Sequence, residues 1–208
     1  QHFASLLQGT EFTHELHTIE TEDGYLLTMF RLVVDEVELE RIKKKRAAEE
    51  EKSGDKESTP KKNKIEYKDI GKGRVVLMQH GLIDSADSWV INHDYCSPAF
   101  FLSRMGFDVW LGNNRGNKYS KLHKAKNDDS KYWDFSFQEM GRYDIPAMIK
   151  KITYATGCER LSYIGHSQGT SQMFAALTDP LTAEYVNSKL DLFIALAPIV
   201  FLVVICIT

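Results

Sequence analysis

The sequence has few cysteines. Cys96, Cys158 and Cys206 are too few and too far apart for a disulfide framework or a cysteine metal motif, and they read as ordinary thiols. Strong net charge is also missing. The formal value of -3 excludes the basic character of a nucleic-acid binder and gives no reason to expect a highly charged substrate. No basic-then-apolar leader follows Gln1, and no Asn-x-Ser/Thr acceptor occurs, so the start of the chain reads as processed or as part of something longer. No histidine follows His166. What is present is an ordinary globular composition, 43% apolar over 208 residues, enough for one domain with its own core.

The first ordered region is 1–34. Two β-favouring runs, Thr13–Thr21 and Tyr25–Val34, flank Glu22-Asp23-Gly24, and Asp-Gly between such runs predicts an antiparallel hairpin. Composition changes sharply over 35–72, where more than half of the residues are charged and the two signs nearly balance. Such a stretch buries too little apolar surface to offset its ordering entropy. It is expected to be a solvated, largely disordered insertion, helical in part around Glu36–Lys52. Its interleaved acids cancel most of the field that a basic membrane or nucleic-acid patch would need.

From 73 to 198 the pattern is that of an α/β core. Arg74–Gln79, Phe107–Leu111, Leu161–Ile164 and Leu192–Leu196 read as buried strands. Helices are predicted between them: one opening at Ser97-Pro98, one from the capping-box spacing Ser136…Glu139 to about Ala155, and one from Gln168 to about Leu177. Residues 112–129 read as a polar loop. This alternation predicts a mostly parallel sheet with helices on both faces and a ligand crevice at the carboxyl ends of its strands. The tail 199–208 is apolar. It reads as an altered or truncated end, with a membrane anchor as the alternative, short for a span and placed directly after Pro198.

Gly165-His166-Ser167-Gln168-Gly169 carries the chemistry. A serine on a sharp turn between a buried strand and a helix is lifted above the sheet edge, at the positive end of the helix. The tight turn requires small neighbours, which Gly165 and Gly169 supply. Ser167 is the candidate nucleophile. The oxyanion that forms when it attacks a carbonyl needs two backbone N–H donors, and Leu82 and Gln168 are the candidates. Gly81 lets that backbone come close. His80 and His166 are assigned structural roles: His80 lies too early in the chain to be the base, and His166 points away from its neighbour on a tight turn.

At these residues the sequence resembles the acid lipase family, the gastric and lysosomal acid lipases and their relatives, within the α/β-hydrolase superfamily. The resemblance rests on Glu22–Leu27, on Gln79–Leu82 followed by Ser85, Ser88 and Trp89, on Gly106–Asn117, on Tyr132–Met140 with Tyr143–Pro146, on Ile164–Thr170 and on Ala195–Pro198. It covers about 12–200 except the charged insertion. It implies an α/β-hydrolase fold and hydrolysis of carboxylic esters of neutral lipids, acylglycerols or sterol esters, at a lipid–water interface. Ser167 would form an acyl-enzyme without any metal or organic cofactor and without a nucleic-acid partner. It further implies a lysosomal or secreted setting. In that family the order of the triad is serine, acid, histidine, with the last two beyond the strand near 192–196. Asp179 and Asp191 precede that strand. The chain is therefore expected to be a fragment that lacks the triad acid and histidine, the C-terminal strands and the cap. An inactive hydrolase-like protein or binding module is the alternative.

Overall fold

A computed structural model describes residues 2–53, 73–92, 95–125 and 129–200. Its strands are β1 (Phe12–Glu20), β2 (Tyr25–Val34), β3 (Val75–Gln79), β4 (Asp108–Leu111), β5 (Leu122–His123), β6 (Leu161–His166) and β7 (Leu190–Leu196). Helices α1 (His2–Leu6), α2 (Glu36–Ser53), α3 (Pro98–Arg104), α4 (Asp129–Tyr132), α5 (Phe137–Glu139), α6 (Ile145–Thr156), α7 (Gln168–Thr178) and α8 (Ala183–Lys189) accompany them. One sheet runs in the order β1-β2-β4-β3-β6-β7, with β5 beside β2. Pairs β3/β4, β3/β6 and β6/β7 are parallel, and the hairpin joins through the antiparallel β2/β4 pair. The sheet is thus mixed, with three parallel and three antiparallel pairs among the described residues rather than mostly parallel, and helices accompany it as expected.

The hairpin forms where Asp23-Gly24 lies, one residue out of the expected frame. Thr21 leaves the strand because it caps the turn: its Oγ1 accepts the Tyr25 N–H at 2.9 Å and donates to Asp23 at 2.6 Å. Strand β3 is buried on both faces, as a continuous apolar run predicts. Leu77 turns to a core with Trp110, Tyr163 and the α6–α7 side, whereas Val76 and Met78 turn to a second core with Ile164, Phe100 and α1. Each such large apolar side chain contributes roughly 2 kcal/mol by leaving water.

Three expectations need correction. The helix predicted from Ser136 to Ala155 is interrupted. The capping box forms, but Met140–Asp144 is a π-helical segment, and α6 restarts at Ile145-Pro146. Proline cannot donate the bond that would continue the α-helical ladder, and the register shifts by one residue to accommodate it. The polar stretch 112–129 is not merely a loop: Asn113, Asn114, Arg115 and Ser120 are buried in it, and β5 lies within it. Strand β7 begins at Leu190, so Asp191 belongs to it, and it is not the buried strand expected: Leu192, Ile194 and Leu196 are exposed, because β7 is the edge of the described sheet, paired there with β6 alone. The first part of the charged insertion forms the helix expected there, 18 residues long. Asp35 accepts the Val37 and Glu38 N–H groups at its start, and the pairs Glu38–Arg41 and Glu40–Lys43 lie one turn apart on its surface. The remainder of the insertion, 54–72, and the tail 201–208 lie outside the described residues. Among the described residues no helix is long and apolar enough to cross a membrane.

The topology places the site. Strands β3 and β6 are neighbours, but α3 follows β3 onto one face of the sheet and α7 follows β6 onto the other. Loops that diverge in this way open a crevice at the carboxyl edge. The crevice lies between the segment after Gln79 and the turn at Ser167.

Candidate active site

Ser167 joins β6 to α7 with φ 52° and ψ -116°, a conformation that costs an ordinary residue about 1–3 kcal/mol and persists only where its surroundings enforce it. Those surroundings are visible. The Ser167 N–H donates to Leu196 O at 3.0 Å, which ties the turn to β7. Its carbonyl accepts the Thr170 N–H at 2.8 Å and the Thr170 hydroxyl at 2.6 Å. Beneath it the Tyr163 hydroxyl, fully buried, donates to Gly169 O at 2.7 Å.

Steric contacts explain the two flanking glycines. A Cβ on Gly165 would stand 2.7 Å from Gly169 O, and a Cβ on Gly169 would stand 2.5 Å from Gln79 O. Both obstacles are backbone, so neither can swing aside. Helix α7 therefore crosses the ends of β3 and β6 at a distance that only glycine permits. Ser167 itself is half-buried and makes no capping bond to α7.

Gly81 brings the opposite wall to the serine. A Cβ there would lie 3.2 Å from both Ser167 Cβ and His166 Nδ1. Leu82 follows, and Leu82 and Gln168 line one cleft. The Gln168 amide is in the first turn of α7, among the N–H groups that have no partner within the helix. The cleft encloses about 720 Å³. Leu82, Ile83, Ile91, Trp133 and Phe135 give it an apolar wall, and Asp84, Asn117 and Lys118 a polar one.

His80 is only 2% exposed. Its Nε2 accepts the Asn114 backbone N–H at 3.1 Å, so the proton sits on Nδ1, which donates to Gly81 O at 2.7 Å. Burial holds its pKa below the usual histidine value. Both ring nitrogens are engaged in the scaffold. His166 is exposed, with its ring beside Gly81. Asp179 pairs with Arg142 at 2.6 Å and Asp191 with Arg160 at 2.9 Å. Asp179 caps the far end of α7, roughly 18 Å along the helix from Ser167. The structure thus brings together Ser167, Gln168, Gly81 and Leu82 around one crevice, with His80 behind them.

Sequence reasoning did not find the buried ion cluster below this crevice. Arg115 has a fully buried side chain. Its guanidinium donates to Asp144 through Nη2 at 2.6 Å and Nε at 2.9 Å, and to Asp23 through Nη1 at 2.6 Å. It also stacks on Tyr25, 4.0 Å from the ring centroid. Complete burial pushes the Asp144 carboxyl up to about 6, against the pull of Arg115. The cluster ties the hairpin turn, the 112–120 segment and the start of α6 together. The only sequence signal was the presence of Asp23, Arg115 and Asp144 in three separate motif blocks, and nothing in their spacing shows that they meet.

Comparison with known proteins agrees with this geometry. The family model described as "alpha/beta hydrolase fold" matches residues 74–197, and "Partial alpha/beta-hydrolase lipase region" matches residues 3–93. The chain belongs to the α/β-hydrolase family. Similar proteins include human lipase member M, 34% identical over 94% of this chain, and rat gastric triacylglycerol lipase, 39% identical over 88%. The Caenorhabditis elegans lipase lipl-1 is also 39% identical over 88%. The chain spans 39%, 39% and 38% of the length of these three relatives, respectively.

Proposed function

We propose that this chain is the nucleophile-bearing part of a serine ester hydrolase that acts on neutral lipids in an acidic, lysosomal or secreted setting. The carrying observation is the strained turn at Ser167, lodged against Gly81, which with Leu82 and Gln168 lines a partly apolar cleft. Strain of this kind persists where the surrounding structure over-determines it, and it fixes the hydroxyl at the sheet edge. The similarity to a triacylglycerol lipase supports an acylglycerol ester as substrate. In the proposed reaction the Ser167 oxygen adds to the ester carbonyl, and the Leu82 and Gln168 amides hold the resulting oxyanion. The alcohol leaves as the carbonyl re-forms on the acyl-enzyme, and water then releases the acid.

The serine proton needs an acceptor. His80 cannot serve, because both of its nitrogens are committed. The 208-residue chain is therefore expected to hydrolyse p-nitrophenyl butyrate barely above background. Oxyanion stabilisation alone still leaves a residual rate enhancement. A decyl fluorophosphonate should accordingly modify Ser167 slowly but selectively, faster than a methyl analogue, as read by peptide mass spectrometry. Modification spread over surface serines, equal in Ser167→Ala, would sink the nucleophile assignment. Rapid turnover lost in Ser167→Ala would instead show that a base is already present.

A further inference from the structure

The loop that faces Ser167 is strained at its tip. Ile83, a β-branched residue, sits at φ 59° and is 98% exposed. Nothing about Ile83 itself favours that conformation, so the ends of the loop must enforce it. One side chain reaches both ends. The Asn117 carboxamide Nδ2 lies 3.1 Å from His80 Nε2, 3.4 Å from Asp84 O and 2.8 Å from Asn113 Oδ1. Asn113 in turn accepts the Ala86 N–H at 3.0 Å and donates to Thr28 O at 3.0 Å. The other end of the Asn117 amide does separate work. Its Oδ1 accepts the Tyr119 and Ser120 N–H groups at 2.9 and 3.1 Å, closing a turn of its own.

We infer that Asn117 is a positioning residue for the oxyanion loop: its Nδ2 clamps His80 and Asp84 so that Gly81 and Leu82 are held against Ser167. This rests on the hydrolase reading above. Asn117 need not touch the reacting atoms. It acts through His80, whose Nδ1–H fixes the Gly81 carbonyl, and through the Asp84 carbonyl beyond the strained tip. Losing the clamp leaves Ile83 free to return to an ordinary conformation and turn the preceding amides away.

Asn117→Asp tests this. The substitution keeps an oxygen for Tyr119 and Ser120 but removes the Nδ2 donor, so it separates the clamp from the turn. Two measurements apply to the 208-residue chain. One is amide hydrogen exchange by NMR at Asn114 and Ala86, whose N–H groups report the two ends of the clamp. The other is the affinity of phenylboronic acid for Ser167, which needs the oxyanion site but no turnover. In Asn117→Asp both amides should exchange roughly tenfold faster and the boronate should bind roughly tenfold more weakly, the loss expected for about one hydrogen bond. Strand β3 and the Tyr119 and Ser120 amides should stay protected, and Lys150→Ala, exposed and outside the cleft, should change nothing. If boronate affinity and both amides are unaltered in Asn117→Asp, the positioning role is overturned while the hydrolase reading stands. If the wild-type chain does not bind the boronate at Ser167, the hydrolase reading falls, and the catalytic purpose of the clamp falls with it.

Discussion

The carbonyl oxygen of Gln79 lies 2.5 Å from the point where a Cβ on Gly169 would stand. Strand β3 and helix α7 meet here backbone to backbone, directly behind the candidate nucleophile. Gly169→Ala should therefore force α7 away from the sheet. Overpacking of this kind typically costs about 1–3 kcal/mol, and the rigid obstacle favours the upper end. A urea unfolding midpoint equal to that of the wild type would show that the contact relaxes freely.

Arg115 holds two carboxylates in the interior. Arg115→Met would leave Asp144, which is completely buried, without its cation, and removing one partner of such a group costs roughly 3–5 kcal/mol. The double variant Arg115→Met with Asp144→Asn should recover part of that loss, because the one carboxylate left without Arg115 is Asp23, which reaches water. The comparison is made by chemical denaturation at neutral pH, and a double variant less stable than the single one would contradict the account.

His80 ties stability to pH. Its folded pKa lies below the ordinary value of 6.5, with burial as the largest cause, opposed by its bond to Gly81 O and by Asp84 and Asp87. A histidine with a depressed pKa contributes stability that is complete above the unfolded pKa. That stability is lost as pH falls from 6.5 toward the folded pKa, because the unfolded chain takes up the proton first. The slope in that window is at most about 1.4 kcal/mol per pH unit. Protonation would also put a second donor at Nε2, facing the Asn114 N–H and Asn117. Thermal unfolding at pH 7.5 and 5.5 should fall further for the wild type than for His80→Gln. Parallel curves would assign the acid sensitivity elsewhere.

Ser136 starts the broken helix. Its Oγ accepts the Gln138 N–H at 3.1 Å, and Glu139 accepts the Ser136 N–H at 2.7 Å. Ser136→Ala should cost about 1 kcal/mol, the usual value of an N-cap. Ser136 is exposed and is not among the residues that line the cleft, so a boronate titration should give the same affinity as the wild type even as the melting temperature drops.

What the sequence by itself determined is local. Alternation and Asp23-Gly24 specify the hairpin, the apolar run Val75–Gln79 specifies a strand buried on both faces, and two glycines around Ser167 specify a turn too tight for side chains. These features depend on neighbours within a few residues, and the chain records them directly. Tertiary structure decided the rest. The meeting of Asp23, Arg115 and Asp144, the reach of Asn117 to His80 and Asp84, and the π-helical shift before Pro146 all join segments distant in the chain or respond to packing against them. A buried polar side chain must find its partner wherever the fold has placed one, and no spacing along the chain states that distance.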